Sequence, residues 1–108
     1  MHLIADFWHV EPVEDPAALD TVLRKAAEAA TNTALKVACH KFSPQGITGV
    51  ALLGESHISI HSWPEMDYLA IDIFTCGNHA TPHKALAYLR EVYRPQRVEV
   101  REIERGKL

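Results

Sequence analysis

Two short stretches of the chain place histidines, serines, carboxylates and a cysteine close together. One is Gly54–Glu55–Ser56–His57–Ile58–Ser59–Ile60–His61–Ser62–Trp63–Pro64–Glu65; the other is Asp72–Ile73–Phe74–Thr75–Cys76–Gly77. Imidazole exchanges protons near neutral pH, a thiol is a polarisable acid and nucleophile, and a hydroxyl attacks when its proton has somewhere to go. Successive residues of a strand point to opposite faces. Over 57–62, Ile58 and Ile60 therefore share one face and His57, Ser59 and His61 the other. Over 68–74, Leu69, Ile71 and Ile73 oppose Tyr68, Ala70, Asp72 and Phe74. With the aliphatic faces inward, the other face carries His57, Ser59, His61, Asp72 and Phe74, and Cys76 lies just past the strand end. A sheet face this polar, with aromatics among the polar groups, is a candidate site or subunit interface.

Taken singly, each of these residues has a bland alternative. A serine between a glycine turn and a strand is ordinarily a turn residue, a lone histidine a hydrogen-bonded one, and a lone cysteine a small buried hydrophobe. Phe42 and Trp63 alone read as core. His2, His9, His40 and Cys39 keep such readings. Cys76-x₂-His79-x₃-His83, with His57 and His61, offers enough ligands for zinc on paper. However, no paired Cys-x₂-Cys exists and Pro82 falls among the ligands, so no metal is expected.

The elements that must position these residues follow from periodicity and punctuation. Residues 2–10 read as a strand. Asp15–Pro16 opens a helix, with a capping carboxylate and then a proline whose missing N–H costs nothing there. Leu19, Val22, Leu23, Ala26 and Ala30 recur at helical spacing until Thr31–Asn32–Thr33. Residues 35–42 form a strand ended by the turn Ser43–Pro44–Gln45–Gly46. Residues 47–53 and 57–62 are predicted to pair as a hairpin across Gly54–Glu55–Ser56. A loop over 64–67 leads to a strand over 68–74. Thr81 is predicted to cap a second helix, with Pro82 at its first position and Leu86, Leu89, Val92 and Tyr93 on one side. Pro95 ends that helix, and residues 97–103 give a last strand. The order strand–helix–four strands–helix–strand predicts a single α+β domain over 1–108: a two-layer sandwich whose two helices cover one face of a mainly antiparallel sheet.

Together the two reactive stretches resemble the signature of the S-adenosylmethionine decarboxylase proenzymes of bacteria and archaea, the prokaryotic pyruvoyl-dependent type. They carry its Glu-Ser-His opening, its Ile-His-Thr/Ser-Trp-Pro-Glu continuation and its Phe-Thr-Cys-Gly. His2–Leu3–Ile4–Ala5–Asp6–Phe7 is similar to the family's first strand and Glu104–Arg105–Gly106 to its end. A decarboxylase must stabilise the carbanion left when carbon dioxide departs, and a carbonyl joined to the substrate amine as a Schiff base supplies the electron sink. No amino acid carries a free ketone, so the chain must make one. The resemblance implies that the Ser56 hydroxyl attacks the carbonyl of Glu55 and turns the peptide bond into an ester. Loss of the serine α-proton then expels the upstream carboxylate, and the dehydroalanine hydrolyses to a pyruvoyl group derived from Ser56. It implies a cut between Glu55 and Ser56 into a 1–55 β chain and a 56–108 α chain.

By the same residue-wise match, His61 assists processing as the base for the Ser56 α-proton, and Cys76 returns a proton to the substrate carbanion. Thr48 stands where the family usually has a serine used in processing, with a methyl added. Phe42 matches an aromatic that stacks on adenine, Trp63 offers a further face for base or sulfonium, and Glu65 can accept from both ribose hydroxyls. The implied product is S-adenosylmethioninamine for spermidine synthesis, and the implied assembly a homodimer of cleaved protomers. Rival readings keep the pyruvoyl chemistry but act on ornithine or arginine, or treat the chain as an uncleaved regulatory or binding homologue.

A net charge of −3, from 11 basic and 14 acidic residues with no basic run, argues against nucleic-acid or anionic-membrane partners. The apolar runs are too short for a membrane span. The two cysteines, Cys39 and Cys76, with no apparent signal peptide before them, suggest the cytoplasm with reduced thiols.

Overall fold

The computed structural model describes residues 1–54, 56–75 and 80–106. Among these lie six strands and two helices in the expected order: β1 (His2–Trp8), α1 (Pro16–Ala29), β2 (Lys36–Lys41), β3 (Ile47–Leu52), β4 (His57–Trp63), β5 (Tyr68–Phe74), α2 (Ala80–Tyr93) and β6 (Arg97–Ile103). Asp15 caps α1 by accepting from the Ala18 N–H at 3.0 Å. The helix closes at Ala30, and Thr31 turns into the left-handed region at φ 57°. Several boundaries differ from expectation, and β1 ends at Trp8 rather than at residue 10, with His9 turning to φ 57°. The segment after β4 is not plain loop: Pro64–Met66 makes one 3₁₀ turn, closed by Asp67 at φ 50°. The second helix starts at Ala80, so Thr81 is not its cap but lies in its first turn with Pro82. Proline is tolerated there because a first-turn N–H has no intrahelical partner.

The strands form one sheet in the order β2-β3-β4-β5-β1-β6, each neighbouring pair antiparallel. The first strand is therefore inserted between β5 and the last strand. It faces Phe74 through Tyr68 on one side and Ile103 through Arg97 on the other.

Both helices lie on one face, α1 against β2 and β3, α2 against β5 and β1. The alternation read from the sequence is what buries Leu3, Phe7, Ile47, Ile58, Ile60, Leu69, Ile71 and Ile73 beneath Leu19, Leu23, Leu86, Leu89 and Tyr93. Removing this apolar area from water drives the two layers together. One glycine sets how close they come. A Cβ at Gly49 would lie 2.6 Å from a Leu19 methyl and 2.8 Å from a Leu23 methyl, both residues fully buried. The backbone of β3 thus touches α1 directly, and β3 carries Thr48 on its opposite face.

Gly49→Ala is expected to destabilise the fold by about 1–2 kcal/mol, because the added methyl must displace two packed leucines. In a domain of this size that corresponds to a fall in Tm of roughly 4–15 °C. Thermal unfolding followed by circular dichroism checks it; an unchanged Tm would mean that α1 does not bear on the sheet at Gly49.

Candidate active site

The face away from the helices is open, and the registers line its side chains up in rows. At one end His57, Phe74 and His2 stand side by side on β4, β5 and β1. Their rings are in contact, with centroids 5.5 and 6.0 Å apart, and the Arg105 guanidinium sits 4.7 Å over Phe74. At the other end Trp63, Tyr68 and Trp8 form a second aromatic row, each neighbouring pair 5.5 Å apart, with Arg97 over Trp8 at 4.4 Å. Polar groups lie between the two rows. Asp72, opposite Ser59, accepts from His2 at 3.1 Å, and Asp6 accepts from the Tyr68 hydroxyl.

Five expected site residues meet near the second aromatic row. Thr48 and His61 are cross-strand partners, and Thr48 Oγ1 lies 3.0 Å from His61 Nδ1, within hydrogen-bond distance. With Phe42, Trp63 and Glu65 they line a single cavity of about 290 Å³. Phe42 and Trp63 are not core residues; they remain 47% and 41% exposed. An apolar ring held in water beside a hydrogen-bonded histidine is available to stack on a ligand. Gln45, Gly46 and Ser62 complete the lining. In sequence, Gln45 and Gly46 read only as turn residues. The Phe42 N–H donating to the Gly46 carbonyl at 2.8 Å is what folds that turn back over the cavity. The cavity lies at the small limit of ligand sites, which occupy ~300–1,000 Å³.

Ser56 stands at the opposite end of the same strand. It leads directly into His57, and its carbonyl accepts from the Leu53 N–H at 2.9 Å, closing the β3–β4 hairpin. Gly54 is exposed, and a Cβ built on it meets nothing within 4 Å. Strand rise puts Ser56 about 16 Å from His61, at ~3.3 Å per residue. The structure therefore does not bring these two residues together within one protomer. The same rise separates His57 from His61 by about 13 Å, too far to share a metal ion. Glu55, Cys76 and His79 lie outside the described residues. Cys39, left to a structural role, faces the helices; burial first, and then the Asp20 charge, push its thiol up. Among the described residues no helix is long and apolar enough to cross a membrane.

Known proteins share both the sequence and the fold. The family model for S-adenosylmethionine decarboxylase matches residues 1–106. The S-adenosylmethionine decarboxylase proenzyme of Methanococcus maripaludis strain C5 is 45% identical over 107 residues, 97% of this chain and 88% of that protein. The proenzyme of Parasynechococcus marenigrum is 47% identical over 106 residues, 96% and 83% of the two chains. The crystal structure of adenosylmethionine decarboxylase from Aquifex aeolicus superposes with a TM-score of 0.83 at 29% identity, covering 99% of this chain and 94% of that one. A Trypanosoma brucei chain shares the fold at a TM-score of 0.65 and 15% identity, with 92% of this chain covering 44% of it. A two-layer α+β domain with its reactive residues on the uncovered sheet face is thus the scaffold of a carboxy-lyase. The chain belongs to the S-adenosylmethionine decarboxylase family.

The Tyr68 phenol offers a check on the open face. Desolvation, then the Asp6 hydrogen bond and the Asp6 and Asp72 charges, push it up to about 12. The stabilisation from neutral Tyr68 is fully present below its unfolded value of ~10 and is lost as pH rises through about 12. Asp6→Asn removes one of the two charges and is expected to lower this pKa measurably in an ultraviolet difference titration. No change in the variant would separate Tyr68 from Asp6.

Proposed function

We propose that the chain is a proenzyme that cuts itself between Glu55 and Ser56 and then decarboxylates S-adenosylmethionine to S-adenosylmethioninamine, the aminopropyl donor for spermidine. The observation that carries this reading is the convergence of Phe42, Thr48, His61, Trp63 and Glu65 on one cavity in a chain of this family. A cytoplasmic location belongs to the same reading.

The pyruvoyl group fits the position of Ser56. Ser56 precedes β4 directly, so a group made from it would sit at the strand's start. The segment that follows is pinned on both flanks, with His57 opposite Leu52 on β3 and Phe74 on β5. A keto group there supplies an electron sink for the carbanion left by carbon dioxide. The chain's own groups do the rest. His61, its ring oriented by Thr48, accepts the serine α-proton during processing. The thiol of Cys76 delivers a proton to the substrate carbon. Glu65 takes the ribose hydroxyls, and Phe42 and Trp63 take the adenine and sulfonium faces.

The spacing along β4 supports a second subunit in the site. With Ser56 about 16 Å from His61, one protomer cannot perform the step in which they cooperate. Two open faces stacked with their strands reversed would lay the His57–Phe74–His2 end of one over the Trp63–Tyr68–Trp8 end of the other. Ser56 of each copy then meets His61 of the other, and the small cavity gains its missing wall. We infer a homodimer with two such composite sites.

Mixed subunits test the composite site. Ser56→Ala lacks the attacking hydroxyl and is expected not to process, and His61→Ala is expected to process at least ~10²-fold slower than wild type, as for loss of an acid–base group. Co-expressed, they are expected to regain near-wild-type cutting in one half of the heterodimers' chains, counted by gel. No rescue would mean that His61 acts within its own protomer or not at all.

Substrate choice is tested by release of labelled carbon dioxide. S-adenosylmethionine is expected to be preferred over ornithine and arginine, whose flexible cationic chains use none of Phe42, Trp63 or Glu65. Stacking one base on an aromatic is worth ~1–3 kcal/mol. Phe42→Ala is therefore expected to lower kcat/KM by roughly 5–150-fold. Faster release from ornithine or arginine, with no effect of Phe42→Ala, would keep the chemistry and overturn the substrate.

A further inference from the structure

We propose that Glu14, on the helix side of the sheet and outside the reactive face, is a positioning residue that sets the shape of the substrate cavity from behind. The inference rests on the cavity of Phe42, Thr48, His61 and Trp63 being the substrate site. Glu14 lies in the segment between the first strand and α1, immediately before the capping Asp15. Its Oε2 accepts from the Ser62 hydroxyl at 2.7 Å, and its Oε1 accepts from Lys41 Nζ at 3.2 Å. The Ser62 oxygen in turn accepts from the Ile47 N–H at 3.0 Å. One carboxylate thereby ties together the ends of β2, β3 and β4.

The partners are the immediate chain neighbours of the cavity groups. Lys41 precedes Phe42, Ile47 precedes Thr48, and Ser62 separates His61 from Trp63. Side chains alternate across a strand, so the Lys41 and Ser62 side chains that reach Glu14 lean to the helix side while Phe42, His61 and Trp63 line the cavity, which Ser62 also borders. Moving any of the three anchors turns the adjacent cavity residue. The geometry that matters most, Thr48 Oγ1 at 3.0 Å from His61 Nδ1, lies between two anchored positions. Glu14 is partly shielded, at 24% side-chain exposure, so its hydrogen bonds are screened less than those of a free surface carboxylate. Ordinary packing does not require this network. Ser62 and Lys41 would be solvated without it, whereas the apolar core beneath β3 and β4 is complete in Ile47, Ile58 and Ile60.

Glu14→Ala, Glu14→Gln and Ser62→Ala are compared with Asp15→Ala. The last removes the α1 cap next door while leaving Ser62 and Lys41 in place, and reports what destabilising this corner does by itself. Three quantities are read: Tm, the rate of self-cleavage, and KM and kcat for S-adenosylmethionine in fully cleaved enzyme. Charged hydrogen bonds are about twice as strong as neutral ones. Glu14→Ala is expected to raise KM roughly tenfold and to slow cleavage, with kcat changed much less. Glu14→Gln keeps an acceptor for Ser62, is expected to retain the wild-type Tm, and should recover most of the loss. Asp15→Ala should lower Tm and leave KM unchanged. Glu14→Ala and Ser62→Ala should be non-additive in KM, because each breaks the same tie. A second readout is free of turnover: in uncleavable Ser56→Ala protein, affinity for 5′-methylthioadenosine should fall with Glu14→Ala and not with Asp15→Ala. If wild type releases no carbon dioxide from S-adenosylmethionine, the substrate reading fails. If it does, and the Glu14 variants match Asp15→Ala or add independently to Ser62→Ala, Glu14 is only a surface partner and the positioning role is overturned.

Discussion

The molecule depends on the insertion of the first strand between β5 and the last. Upstream of residue 55 the chain contributes strands β1, β2 and β3; downstream it contributes β4, β5 and β6. The sheet interleaves them, so the β3–β4, β5–β1 and β1–β6 pairings all join one part of the chain to the other. Leu3, Phe7, Leu19 and Leu23 from upstream bury against Ile60, Ile71, Leu89 and Tyr93 from downstream. A cut between Glu55 and Ser56 would break one covalent bond in an open turn and no strand pairing. A fold whose halves were adjacent rather than interlocked would come apart on losing the same bond, because separated fragments gain translational freedom that a continuous chain lacks.

The second constraint is the division of labour between the two faces. The helix face is apolar and tightly fitted, down to a glycine where strand and helix touch. The opposite face carries aromatic rows at its two ends with carboxylates, hydroxyls and imidazoles between them. Rigidity on one side holds groups at fixed spacing on the other, which is what acid–base chemistry needs. The spacing also imposes its own limit. A strand is straight, so groups at its two ends stay apart. Ser56 and His61 lie near opposite ends of the same strand, and the composite site proposed across two copies would resolve that separation.

Much of this was legible in the residues. Strict alternation in 57–62 and 68–74 marks both the buried face and the reactive one, because one face alone can be buried. Asp15–Pro16 announces α1 by capping chemistry that is local. The start of α2 was misplaced because Thr81–Pro82 satisfies the same local rule one turn position late; where a helix begins also depends on the chain before it. Phe42 and Trp63 look like core residues by type, and only the sheet's three-dimensional order leaves their rings exposed. Gln45 and Gly46 gave no chemical signal in sequence, since their place on the cavity comes from the folding back of a turn. The role inferred for Glu14 was equally hidden, because it acts through neighbours of the cavity residues and from the other side of the sheet. The expected pairing of Ser56 with His61 came from family likeness, and their separation along β4 is what motivates the proposed second subunit.

The proposed chemistry rests on a carbonyl that the chain makes for itself at Ser56. The most direct test is the intact mass of the purified protein after incubation at neutral pH. The account requires two fragments meeting between Glu55 and Ser56, the downstream one lighter by one ammonia than a serine-headed chain and refractory to Edman sequencing. A single unmodified chain that persists, or a cut that leaves a free serine at the head of the downstream fragment, would contradict it.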